Sequence, residues 1–168
     1  MKKVLGLSLL LLTAASPVRS SGAAAAEREP VAIRLQWDYK GIEPEMSVYE
    51  AADDPRLEIW NMGVRKSLAE LPVKKRIEDS VVRARPGEDK IFVLVYRNVR
   101  DKPVRFFAAP HRLSPEEASL GFDFACLCMN HIYTVPKGYY WYRVVKLSLD
   151  DDFKGRSLDV RHTLVSRP

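Results

Sequence analysis

The feature that most constrains this chain is a succession of short runs in which apolar and polar residues alternate, each closed by turn-forming residues. In "VAIRLQW", Val31, Ile33, Leu35 and Trp37 fall on one side of an extended backbone and the intervening residues on the other, a period of two that suits a half-buried strand and not a helix. "KIFVLVYRN" is apolar throughout and reads as an interior strand. It follows the turn "RPGED", where Pro86 fixes one backbone angle and Gly87 frees another. After the turn "VRDKP" the strands "VRFFAAP", "FDFACLC", "YYWYRVVKLSL" and "SLDVRHTLV" complete the series. About seven strands at this spacing, with little helix, predict an all-β chain folded as an immunoglobulin-like β-sandwich.

Other stretches carry weaker patterns. "RIEDSVVRA" reads as one strand, and "SPEEASLGF" as a helical turn with Ser114 as N-cap, Pro115 at the first position and Glu117 as capping partner. Residues 38–72 read as irregular connection, with a strand near Leu57 to Trp60 and a short helix in "GVRKSLAEL".

The N-terminus points to export. Lys2 and Lys3 precede an apolar run from Val4 to Ala15, the order of charge and hydrophobe found in secretory signals. Pro17 and Arg19 end the run before it reaches the about 20 apolar residues a membrane helix needs, and Ala24 and Ala26 suit cleavage. Residues 1–26 are therefore expected to be a signal peptide, and residues 27–168 a single exported domain. The leader holds three of the 27 basic residues, Lys2, Lys3 and Arg19, and no acid; 24 bases against 22 acids then leave the mature domain near +2. Both signs are interspersed, so nothing marks a nucleic-acid partner.

The chain has two cysteines, and they stand one residue apart as Cys126 and Cys128. A domain of this size needs no disulfide framework. In a strand the two side chains share a face while Leu127 points away, so two thiolates converge on one soft ion. Such a pair suits Cu(I), which accepts low coordination, better than zinc, which takes four ligands. Two other readings stay open: a strained, reducible disulfide serving thiol chemistry, and two cysteines packed as small hydrophobes. Met129 and His131 are secondary ligand candidates that strand parity turns away from the thiols. His111, His162, Met46 and Met62 have no neighbouring donor in sequence and read as structural or solvated. No nucleophile motif of a hydrolase is present, and a binding protein is expected instead of an enzyme.

The order of turns around the cysteines resembles a known family. Arg85, Pro86, Gly87 and Glu88, then Asn98, then Asp101, Pro103 and Val104, then Ser114, Pro115 and Ala118, then Phe122, and finally Cys126 and Cys128 are similar to the periplasmic domain of the CtaG-type cytochrome c oxidase assembly proteins, copper-delivery factors for the CuB site. The likeness spans roughly Val73 to Val165. Leu127 and Met129 stand where that family has phenylalanine. The resemblance implies a β-sandwich that binds Cu(I) through Cys126 and Cys128 and passes it to a membrane copper enzyme or its assembly factors. It also implies a homodimer built on a shared copper site.

Overall fold

The computed structural model describes residues 29–168; the expected leader, residues 1–26, lies outside the described residues. Twelve strands and three short 3-10 turns make up the regular structure of the described residues. The first sheet contains β1 (Val31–Lys40), β5 (Val81–Ala84), β7 (Val104–Ala108), β8 (Arg112–Ser114), β10 (Tyr133–Val135) and β12 (Ser157–Arg167). The second contains β2 (Met46–Ala51), β3 (Met62–Arg65), β4 (Val73–Arg76), β6 (Asp89–Arg97), β9 (Phe122–Ala125) and β11 (Tyr140–Leu149). The two pack as the all-β sandwich that the alternation predicts.

In the first sheet the order is β10-β7-β12-β1-β5, and in the second β3-β11-β6-β2-β4. The first and last strands run parallel, from Ala32 opposite Ser157 to Lys40 opposite Val165. Ile33, Phe92, Leu94, Phe106, Val145, Leu147, Val160 and Leu164 lie between the sheets with no exposed surface, each contributing about 1.5–3 kcal/mol on burial.

A second, smaller cluster explains why β6 is apolar throughout. Val93 and Val95 point to the outer face of the second sheet, where Tyr142 and Val144 of β11 join them and Leu71 covers them. The segments on either side of β3, residues 52–61 and 66–72, thus cover that face, with Leu57 and Leu68 packed against the cluster. This corrects the expectation of irregular connection across residues 38–72. Met46–Ala51 is a strand paired with β6, and Leu57 to Trp60 forms no strand, ending instead in a turn at Ile59 and Trp60, with the edge strand starting at Met62. The expected helix in "GVRKSLAEL" is divided between β3 and a 3-10 turn over Leu68–Glu70 capped by the Ser67 side chain.

Two further expectations are altered. "RIEDSVVRA" is two strands, because Asp79 and Ser80 adopt φ of 52° and 53° and carry the chain from β4 in one sheet to β5 in the other. Ser114 ends β8 and caps nothing; the 3-10 turn Glu116–Ser119 starts after Pro115 without a side-chain cap.

Strand interruptions create an opening along one side of the sandwich. Beside β12, β7 pairs with residues 164–167 and β8 with residues 159–161, leaving a gap bridged by Ala109, Pro110 and His111. Beside β11, β3 pairs with residues 140–143 and β9 with residues 146–149. From the end of β9 the chain crosses to β10 in the opposite sheet. That crossing contains Cys126 and Cys128.

Candidate metal centre

β9 ends at Ala125, so both cysteines lie just beyond the strand expected to hold them. Their convergence comes from a tight turn in place of strand alternation. The Cys126 N–H donates to the Phe124 carbonyl at 2.8 Å, the chain bends at Leu127, and the Cys128 N–H donates to Cys126 Sγ at 3.3 Å. The sulfurs stand 2.9 Å apart, as free thiols. Leu127, fully buried, anchors the turn, and its carbonyl accepts from the Tyr133 hydroxyl at 3.1 Å.

Two histidines complete the group. His111 occupies the gap between β7 and β8, where Pro110 supplies no N–H for the ladder. Its Nδ1 is 3.4 Å from Cys126 Sγ and 3.6 Å from Cys128 Sγ. His162 comes from β12, on the inward face with Leu158, Val160 and Leu164. One ligand atom from each of His111, Cys126, Cys128 and His162 falls within 4.8 Å of the others. Aromatic rings fix both imidazoles: Trp37 stacks on His162 at 5.0 Å, and Phe124 lies 5.8 Å from His111 and 5.7 Å from His162.

The donor set fits a metal ion. Bond lengths of about 2.3 Å to sulfur and 2.0 Å to nitrogen place tetrahedral donors roughly 3.3–3.8 Å apart, and both sulfur-to-Nδ1 distances lie in that interval. The sulfur pair is closer, and an entering ion would part it by about 1 Å; the remaining donor pairs lie within 4.8 Å. His162 supplies independent support. It is fully buried, yet neither ring nitrogen has a hydrogen-bond partner, a state that costs about 1–3 kcal/mol and that a metal bond would relieve.

Charge in the group is uneven. Either sulfur can donate in their mutual contact, and Cys126 is the better acceptor because it also receives the Cys128 N–H. The hydrogen bond with Cys128 holds the Cys126 thiol well below the ordinary range against the opposing effect of burial, with help from His111 and His162. The same contact, burial and the charge on Cys126 push the Cys128 thiol up. Two thiolates this close cannot both ionise without a cation between them. Burial lowers the pKa of His162, with Cys126 acting in the other direction, so its imidazole stays neutral and able to ligate.

The opening is asymmetric. Cys126 and His162 are buried, whereas Cys128 and His111 are partly exposed. The remaining sequence candidates are placed differently. His131 is exposed, packs edge-on against Tyr133 at 4.9 Å and stands outside the group of four. Met129 is exposed, and Arg143 Nη2 donates to its sulfur at 2.9 Å. His111 and His162, read from the sequence as structural or solvated, are the residues that join the cysteines. For His162 a signal existed: in "SLDVRHTLV" it shares the parity of Leu158, Val160 and Leu164. For His111 none did.

Residues 31–167 match the family described as Domain of unknown function (DUF8709). The chain belongs to this family. The DUF8709 match starts at the first residue of β1 and ends at the last of β12, so it takes in both sheets and all four donors. No curated protein matches the chain.

Proposed function

We propose that this DUF8709 protein is a periplasmic Cu(I) carrier, holding the ion between Cys126 and Cys128 with His111 and His162 as further donors and releasing it to a membrane copper enzyme such as cytochrome c oxidase. The observation that carries the reading is the convergence of two thiols and two imidazoles at a sandwich opening, one donor of each kind facing outward. An incoming ligand can then engage the ion beside Cys128 and His111 while Cys126 and His162 still hold it. Soft sulfur donors favour Cu(I), and the resemblance to the CtaG-type proteins suggests the recipient and the compartment.

Zinc is the rival ion, since a Cys2His2 set is also a tetrahedral zinc set. A thiol-disulfide redox protein is the rival activity. An attacking thiol must be both ionised and reachable, and here the thiol with the lowered pKa is the buried Cys126, while the outward Cys128 is the one raised. That inversion favours the carrier.

The test is titration of the reduced mature domain with Cu(I) against a chromophoric chelator, with X-ray absorption to identify donors. About one Cu(I) per chain is expected, bound by sulfur and nitrogen, and lost in Cys126→Ser and Cys128→Ser. Undiminished Cu(I) binding by the double serine variant would overturn the proposal, and so would steady dithiol turnover without metal binding.

A further inference from the structure

Arg143 is the one charged side chain among the buried residues of the described chain, at 3% exposure. It lies on the core-facing parity of β11 with Trp141 and Val145. Among the described residues no carboxylate forms an ion pair with it; the ion pairs present involve other bases. Its neighbours are instead neutral. Nη1 donates to the Tyr133 hydroxyl at 2.9 Å, Nη2 to Met129 Sδ at 2.9 Å, Met62 Sδ lies 3.9 Å from Nη1, and the guanidinium sits 4.7 Å from the centre of the Trp60 ring. A buried cation without a counter-charge is costly, which raises the question of what anion it serves.

The hydrogen bonds lead to one. From Arg143 the path runs through the Tyr133 hydroxyl to the carbonyl of Leu127, the residue between the two cysteines, and the charge on Arg143 acts favourably on ionised Cys128. The counter-charge to which these contacts lead is the Cys126–Cys128 pair once it is ionised. Metal ligands of this kind are bound deprotonated. Two thiolates with a monovalent ion carry −1, which the guanidinium cancels; two thiolates with a divalent ion carry no net charge, and the guanidinium is left uncompensated.

We propose that Arg143 is a specificity-determining residue of the metal centre, its fixed buried charge favouring a monovalent over a divalent ion, while Tyr133 positions the Cys126–Cys128 turn. This rests on the metal-carrier reading above and adds to it the charge of the cargo. Removing the cation affects thiol deprotonation alike for both ions, so the ratio of affinities isolates the effect. One unit of charge at close range in a buried setting shifts that ratio on the order of tenfold or more.

The experiment measures Cu(I) and Zn(II) affinities separately for the reduced mature domain and its variants. In Arg143→Met the preference for Cu(I) over Zn(II) is expected to fall at least about tenfold, and in Arg143→Lys to be largely kept. Tyr133→Phe breaks the path to Leu127 but leaves the charge, and should weaken both ions with the ratio unchanged. Met62→Glu, an exposed position on an edge strand, brings a carboxylate to the guanidinium and should lower the preference as Arg143→Met does, which keeps the test decisive if that variant fails to fold. An unchanged ratio in Met62→Glu together with an unchanged or unmeasurable one in Arg143→Met would overturn this inference while leaving the carrier intact. Absence of any metal binding by the wild-type domain would overturn the carrier reading itself.

Discussion

His162 shows at the level of one residue how stability and function pull apart. Its two unpartnered nitrogens make the apo protein weaker than an apolar residue would at the same position. His162→Leu should therefore leave the metal-free domain as stable as wild type or more stable by about 1–2 kcal/mol in urea unfolding. Cu(I) affinity in the same variant should drop at least about tenfold, as expected when a ligand is lost. The imidazole also sets an acid limit. Because burial lowers its pKa in the folded state, the unfolded chain takes up a proton near pH 6.5 that the folded chain does not. Apo stability is then flat above about pH 6.5 and falls as pH drops toward the folded value, with a slope of up to about 1.4 kcal/mol per pH unit from this residue. Urea midpoints between pH 5 and 8 check this, and His162→Leu should lose that part of the slope.

At the scale of elements, the sequence was most legible where a strand is long and its alternation regular. Val31, Ile33 and Leu35 of β1 are buried as their parity indicates, and β6 is interior as its composition indicates. Shorter elements misled. The cover formed by the segments on either side of β3 shows no regular apolar period, and its packing against Val93, Val95 and Tyr142 depends on a sheet face assembled from distant strands. Leu71→Ala should cost about 2–4 kcal/mol in urea unfolding. Its Cu(I) affinity should be unchanged, since the cover lies on the outer face of the second sheet and the centre opens between the sheets. A matching loss of affinity would mean that the two regions are coupled.

For the whole molecule, the sandwich core is extensive enough to fold without an ion, so a metal held at the proposed centre would act as a stabilising ligand and not as a folding requirement. Far-UV circular dichroism of the reduced domain should be the same with Cu(I) and after its removal by a chelator. Thermal unfolding should shift upward with Cu(I), by the equivalent of about 4 kcal/mol when free ion exceeds Kd a thousandfold; an apo domain lacking β structure would contradict this. Local alternation along the chain was enough to determine an all-β sandwich and to single out Cys126 and Cys128, because strand periodicity and close spacing are written in neighbouring residues. The turn that brings the two sulfurs together, the arrival of His111 and His162 beside them, and the placing of Arg143 behind them were decided only by tertiary structure. Those contacts join a crossing between sheets, a gap between strands and the inner faces of β11 and β12, and residues so far apart in sequence meet only when the two sheets close on each other.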